Sequence, residues 1–420
     1  IVWEWDGPLI ESERDTIGSL LRRQGYRSAC IGKWHLGWDW PTKDGRHPNE
    51  TLPFGVGRPM ESRAAYAENI DFSGRIGGGP IERGFDSYFG VDVPNFSPYT
   101  WFRDDRLTEV PTVEKPAGIY GNRGPSVPGW THEPMIPAFV EEAKTVIESA
   151  GGSPFFLYLP LTSPHSPVVP NEQFLGRSGC GRYGDFVCEV DWVVGEVMAA
   201  VEQAGLTEDT LLVVTSDNGP ENRVRDDDGV YERIRQFGHY SMDGLRGIKR
   251  DAWEGGHRVP FVARWPKAIP AGSVCRQLVS LVDLYATCAA ITGADLQGGE
   301  DSVSMLPLLS QADSGPVRDS LVHHSGAGKF AIRTRDWVYI DAATGGDNEE
   351  PAWFRAERGY EADEYPGQLF DLSSDRSERK NCYGERPEIV TALREALDRL
   401  RGGASVHEEQ ILGDESAFSE

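Results

Sequence analysis

The stretch ACIGKWHLGWDW, residues 29–40, decides how the rest of the chain is read. A small apolar run, Ala29 to Gly32, stops at Lys33, Trp34 and His35, and Gly37 closes the segment. The first part has the composition of a buried strand; a cation and an imidazole at its end belong to the loop that follows. Contact with water explains one polar strand end. It explains a repeated habit less well, and two further apolar runs share it. PFFLYLP (154–160) runs into LTSPHSP with His165, and TLLVVT (210–215) runs into SDNG with Asp217 and Asn218. In open α/β sheets ligands bind at the carboxyl ends of the strands, so these runs are expected to deliver Lys33, His35, His165, Asp217 and Asn218 to one sheet edge. A fourth piece, GLRGIKRDAWEGGHRVPF (244–261), carries Arg246 and Lys249 between glycines ahead of another apolar run.

Helical patterns alternate with these strands. TIGSLLRRQG (16–25) places Ile17, Leu20 and Leu21 on one face, with Asp15 expected as its cap and Gly25 as its stop. AFVEEAKTVIESAGG (138–152) and FVCEVDWVVGEVMAAVEQAG (186–205) also end on glycine, and Val187, Val190, Val194, Val197 and Val201 recur at helical spacing. Helix and strand in alternation predict an α/β layered sheet. Residues 41–132 are rich in Gly, Pro, Asn and aromatics and read as long loops of the kind that build binding surfaces. A helix is expected near residues 281–293. Beyond it the texture changes: SLVHHSG, KFAIRT and WVYID read as a small antiparallel sheet, closed by a helix in REALDRLRGG (394–403). The domain boundary is placed near residue 310.

Composition excludes several function classes. Acids outnumber bases, 66 against 42, for a net charge of −24, and no basic stripe interleaved with aromatics offsets this, so nucleic acid is not an expected partner. The 39% hydrophobic content, with 12 Trp, 17 Phe and 14 Tyr, is ample for a core. The six cysteines are scattered with no CxxC pair, which argues against a zinc site. No run approaches the roughly 20 apolar residues of a membrane helix, and no basic leader segment is visible at the start. The Asp226–Asp228 run lacks the alternation of a calcium loop and is read as solvated.

The residues at the strand ends define a chemistry. Asp217 and the side-chain carbonyl of Asn218 form an oxygen-only pair suited to Ca²⁺ or Mg²⁺. Lysines and histidines around it would accept a doubly charged tetrahedral anion and protonate a leaving oxygen. That set fits hydrolysis of a phosphoryl or sulfuryl ester. It lacks the third ligand of a zinc peptidase.

The motifs GYRSACIGKWHLG (25–37), GGGPIERGFDSYFG (77–90), FFLYLPLTSPHSP (155–167), VVTSDNG (213–219), LRGIKRDAWEGGHRVPFVARWPKAIPAG (245–272) and LFDLSSDRSERKN (369–381), in this order, resemble the formylglycine-dependent sulfatases, the arylsulfatase branch of the alkaline-phosphatase superfamily. The resemblance implies an α/β fold with a large mixed sheet flanked by helices (1–310) and a smaller C-terminal subdomain with an antiparallel sheet (311–420). It implies that Lys33 holds the nucleophile and sulfate and that His35 handles the proton on the nucleophile's second hydroxyl. His165 and Lys249 would bind the sulfate, one of them protonating the leaving alcohol. Asp217 and Asn218 would bind Ca²⁺ or Mg²⁺, and His239 would reach the substrate. The expected substrate is a small-molecule or carbohydrate sulfate ester, with Tyr99, Trp101 and Trp130 as candidates to stack on a sugar or aryl ring. A periplasmic or secreted location is implied by the resemblance alone.

The match also departs from the family pattern. Ahead of GKWHLG, where the family carries it, the formylglycine signature C/S-x-P/A-x-R is absent; Cys382 to Arg386 has the arginine spacing without the Pro or Ala. The family's pair of metal-binding aspartates on a first strand is missing, and Asp104–Asp105 comes too late in the chain. The expectation is that the sequence omits an N-terminal segment carrying the first strand and the Cys or Ser that becomes formylglycine. Loss of a central strand should leave apolar sheet surface exposed. The rival expectations are a phosphodiesterase or phosphonate monoester hydrolase of the same superfamily, or a non-catalytic relative that binds sulfated ligands.

Overall fold

The computed structural model describes residues 2–52, 60–222, 229–312, 314–360, 362 and 364–403. The Asp226–Asp228 run lies outside the described residues. Backbone contacts divide the chain into two compact units, one of residues 1–207 with 291–298, the other of residues 208–290 with 299–420. Residue 310 falls inside the second unit, ahead of its antiparallel sheet.

The first unit is built on a five-stranded mixed sheet. Its elements are α1 (Ile17–Arg23), β1 (Arg27–Lys33), β2 (Ser87–Val91), β3 (Phe102–Arg103), β4 (Arg106–Leu107), α2 (Met135–Ser149), β5 (Phe155–Tyr158) and α3 (Gly181–Gln203). The sheet order is β4-β3-β2-β1-β5, with β1 parallel to both β2 and β5, and β3 and β4 antiparallel. Ser28 to Gly32 are buried, as a central parallel strand requires. The cap of α1 differs from expectation. Thr16 accepts the Ser19 N–H and forms a capping box with it, while the Asp15 carboxylate takes the Ser19 hydroxyl and pairs with Arg23. One residue further on, Thr16 reaches N3 with the short side chain that this geometry favours.

α2 buries Met135, Ile136, Phe139, Val140, Ala143 and Ile147, a stripe at helical spacing, against Ile31, Val91 and Phe186. The FFLY strand, expected to be buried, is half-buried with Tyr158 45% exposed. The reason is position: among the described residues β5 is an edge strand, so one flank lacks a neighbour. Tyr99 and Trp130, candidates for stacking on a ligand, are 1% and 6% exposed and pack with Val91, Met135 and Phe139. They are core residues. Trp101 packs partly buried on the same cluster, stacked on Phe89 at 5.0 Å.

In the second unit β6 (Leu212–Thr215) pairs antiparallel with β7 (Phe261–Arg264). α4 (Val230–Phe237) and α5 (Asp283–Thr292, whose last two residues group with the first unit) precede a four-stranded antiparallel sheet of β8 (Ser320–His324), β9 (Phe330–Thr334), β10 (Trp337–Ile340) and β11 (Gln368–Asp371), in that order. α6 (Ala352–Arg358) lies between β10 and β11 in sequence, and α7 (Pro387–Arg401) closes the chain's regular structure. The sheet works by period two. Ile332, Tyr339 and Leu369 face Ile389, Leu393 and Leu397 of α7, while Ala331, Val338, Ile340 and Phe370 face Ala252 and Trp253. The Trp253 indole N–H donates to Gln368 Oε1 at 3.0 Å, which fixes the segment that carries Lys249 to this sheet. No helix among the described residues is long and apolar enough to cross a membrane.

Candidate active site

In the first unit three parallel strands meet at close range. The Lys33 N–H, at the end of β1, donates to Pro160 O over 2.8 Å, and Lys33 stands in register with Val91 of β2. Glycine permits the approach: a Cβ on Gly32 (φ +134°) would lie 2.1 Å from Pro160 O, and one on Gly90 would lie 1.8 Å from Gly32 O. Trp34 then donates its N–H to Val91 O and its indole N–H to Gly37 O, at 3.1 Å each, so it is a packing residue of the turn.

His35 takes a left-handed conformation, φ +55°, uncommon for a residue with a side chain. Its backbone N–H donates to Asp92 Oδ1 at 3.3 Å. Its ring Nε2 lies 3.3 Å from Val2 O and the ring meets Phe96 edge-on. A carbonyl only accepts, so Nε2 carries a proton there. His165 lies in the loop after β5, with Nδ1 2.8 Å from Ser166 O. By the same logic Nδ1 is the N–H, and Nε2 is the position that can gain and lose a proton. Lys33, His35 and His165 thus sit at the carboxyl ends of β1 and its parallel neighbour β5.

Around Lys33 and His35 lies a buried polar network that sequence reasoning missed. Asp92 follows β2 directly. Burial pushes its carboxyl up to about 6, while the Trp38 indole, the His35 N–H and the Lys33 charge oppose the rise and Asp6 adds to it. Glu4 Oε1 accepts Asn122 Nδ2 at 2.8 Å and Ser97 N–H at 3.3 Å, and burial pushes Glu4 up to about 7. Arg63, 1% exposed, donates to Glu4 O and, at 3.3 Å, to Asp6 Oδ1. The one signal for Asp92 was that SYFGVD repeats the habit of an apolar run ending in a charge.

In the second unit the loop after β6 is stitched to the Lys249 segment by backbone. Gly219 N–H donates to Gly256 O at 3.0 Å, and Lys249 N–H donates to Pro220 O at 2.9 Å. The segment is braced again by Asn348, whose Nδ2 donates to Lys249 O at 2.8 Å, and by Arg250, whose guanidinium grips both oxygens of Glu221 at 2.6 and 2.7 Å. Asp217, Asn218 and Lys249 are therefore brought onto one pair of loops. His239 is not tied to them by any hydrogen bond described. It sits on the turn closing α4, its N–H on Arg233 O, and burial with the Arg233 charge pushes its imidazole below the ordinary range.

The donor chemistry of the SDNG loop suits a hard cation. Asn218 Nδ2 is engaged by Gly219 O at 3.0 Å, which leaves its Oδ1 to ligate beside the exposed Asp217 carboxylate. Ca²⁺ takes six to eight oxygens. Two is a fraction of that shell, and among the described residues no group of three or more His, Cys, Asp or Glu could hold a metal. The residues present are compatible with Ca²⁺ or Mg²⁺ and do not complete its site.

Comparison with known proteins gives the class. The family model described as Sulfatase matches residues 4–294. An N-acetylgalactosamine-6-O-sulfatase of Bacteroides thetaiotaomicron is 31% identical over 94% of this chain and 78% of its own length. Human arylsulfatase D is 30% identical over 78% of this chain, which spans 58% of that relative's length. Among solved structures, a Bacteroides thetaiotaomicron protein from work on the metabolism of multiple glycosaminoglycans superimposes with a TM-score of 0.76 at 27% identity, covering 96% of this chain and 85% of that one. The chain belongs to the sulfatase family, hydrolases of sulfate esters built on an alkaline-phosphatase-like α/β fold.

Proposed function

We propose that the protein hydrolyses a carbohydrate sulfate ester to alcohol and sulfate, and that 6-O-sulfated N-acetylgalactosamine is its substrate. The observation that carries this reading is the 31% identity over 94% of the chain with an N-acetylgalactosamine-6-O-sulfatase. The placement of Lys33, His35 and His165 at the carboxyl ends of β1 and β5 supports it, as does the tethering of Lys249 to the Asp217–Asn218 loop.

Each residue has one task in this reading. The Lys33 and Lys249 ammonium groups attract the sulfate oxygens and stabilise charge that builds on them in the transition state. His165, as an imidazolium whose Nδ1 proton stays on Ser166 O, donates its second proton from Nε2 to the departing alcohol and is left neutral. His35 moves the proton that accompanies sulfate release. Asp217 and Asn218 would contribute two oxygens to Ca²⁺ or Mg²⁺, which, when bound, withdraws charge from the sulfate. The formylglycine that family membership implies has no C/S-x-P/A-x-R pattern ahead of GKWHLG; the one match in the sequence, Ser314–Arg318, lies far downstream, with Arg318 buried against Asp283. A periplasmic or secreted location is part of the same proposal, as is the division into a catalytic part, 1–310, and a C-terminal part, 311–420.

The test is release of inorganic sulfate from N-acetylgalactosamine 6-sulfate, measured beside the 4-sulfate, an aryl sulfate and an aryl phosphate diester. The 6-sulfate is expected to be turned over fastest. A tenfold or larger preference for the phosphate diester would overturn the sulfatase reading, and calorimetric binding of the 6-sulfate without turnover would convert it to a binding role.

A further inference from the structure

We infer that Asp92 is a positioning residue for the Lys33–His35 turn, its carboxylate holding the His35 peptide in the left-handed conformation that aims the ring. The inference rests on the reading of Lys33 and His35 as sulfate-handling residues and adds a residue to it.

The geometry is specific. Asp92 is the residue after β2, and β2 is in parallel register with β1 through Gly32↔Gly90 and Lys33↔Val91. That register carries Asp92 past the end of the ladder to where the chain of β1 turns away. There its Oδ1 takes the His35 N–H at 3.3 Å. His35 has φ +55°, a conformation that costs an L-residue free energy and persists only when surroundings impose it. Asp92 is 7% exposed, so its hydrogen bond competes with little water.

The groups facing Asp92 come from every neighbouring element. Lys33, the His35 peptide and the Trp38 indole stand on the β1 side, Tyr88 lies on β2, and Asp6 and Glu4 come from the N-terminal segment with Arg63 bound to both. Lys33 opposes the burial that favours the neutral acid, and Asp6 assists it. The carboxyl therefore changes charge near pH 6, within reach of working conditions, and each change alters the field at Lys33 and the acceptor offered to His35.

The experiment has an arm that needs no turnover. In the full-length protein, the His35 amide resonance is followed by NMR through the titration of the Asp92 carboxyl. It should shift with the same midpoint, near pH 6, and the amide of His35 should exchange at least tenfold faster in Asp92→Ala. A His35 amide that does not follow Asp92 overturns the inference, whether or not the variant folds. The second arm reads kcat/KM for an aryl sulfate against pH. Asp92→Asn, which keeps an oxygen acceptor without the charge, should lose the ionisation near 6 and fall about tenfold in kcat with KM little changed; Asp92→Ala should fall about a hundredfold, as expected for a misplaced group. A purely structural role would lower Tm and leave the pH profile in place, and that result also overturns the inference. Absence of sulfate ester turnover in the wild type counts against the proposed function and leaves the NMR arm to decide on Asp92.

Discussion

The backbone N–H of Lys249 donates to the carbonyl of Pro220 over 2.9 Å, two residues beyond Asn218. The bond belongs to the main chain, so the lysine side chain can be removed without undoing the tether. Lys249→Ala should lower kcat/KM about a hundredfold, roughly 2–3 kcal/mol of transition-state binding lost with one charge-assisted contact. Tm should stay near that of the wild type. Steady-state kinetics and a thermal melt on the same sample check both halves, and an unchanged rate removes Lys249 from the site.

Gly219 is the tightest point of that tether. A Cβ there would lie 1.9 Å from Gly255 O, a backbone atom that cannot rotate aside. Gly219→Ala should destabilise by about 1–3 kcal/mol, as overpacking does. Because the displaced loop carries Asp217 and Asn218, it should also weaken Ca²⁺ binding. Denaturant titration and calcium calorimetry measure the two effects. A variant with wild-type values for both would show that the close approach is not maintained.

Glu4 gives a stability change of known sign. Burial raises its carboxyl from 4.5 to about 7, so the folded state binds its proton more tightly than the unfolded state does. This contribution is fully present below pH 4.5 and is lost as pH rises through 7. Glu4→Gln cannot lose a proton, so the Tm of the variant minus that of the wild type should grow between pH 4.5 and 7.5. A difference that is flat in pH contradicts the burial argument.

His257 has the opposite sign. Its ring lies 4.3 Å from that of His323, and partial desolvation of a side chain that still keeps contact with water, with the His323 and His324 charges adding to it, pushes its imidazole from 6.5 down to about 3. The unfolded chain takes up this proton first, so stability falls as pH drops from 6.5 toward 3. His257→Gln should flatten part of that acid loss in a series of melts from pH 7 to 4. An identical acid profile for variant and wild type would place the sensitivity elsewhere.

What the sequence made legible was whatever is local. Glycine stops and apolar periodicity located α1, α2, α3 and α7, and the runs ending in Lys33, His165 and Asp217 located the strand ends. What it concealed depends on distance along the chain. The partner of the His35 N–H is 57 residues away and that of Glu4 is 118 away, so the buried network of Glu4, Asp6, Arg63 and Asp92 has no local signature. Aromatic residues misled for a related reason. Tyr99 and Trp130 come from loops whose composition suggests a binding surface, yet the fold turns them onto α2, where burying a large ring outweighs presenting it to a ligand. FFLY read as a buried strand because composition does not reveal which strand stands at the edge.

The most direct test of the whole account is ion chromatography of inorganic sulfate released when the full-length natural protein is incubated with N-acetylgalactosamine 6-sulfate. Stoichiometric sulfate is expected, lost on chelation of calcium and cut about a hundredfold by Lys249→Ala. Tight binding of the sulfated sugar with no sulfate released, or release of phosphate monoester from a diester at ten times the sulfate rate, would contradict it.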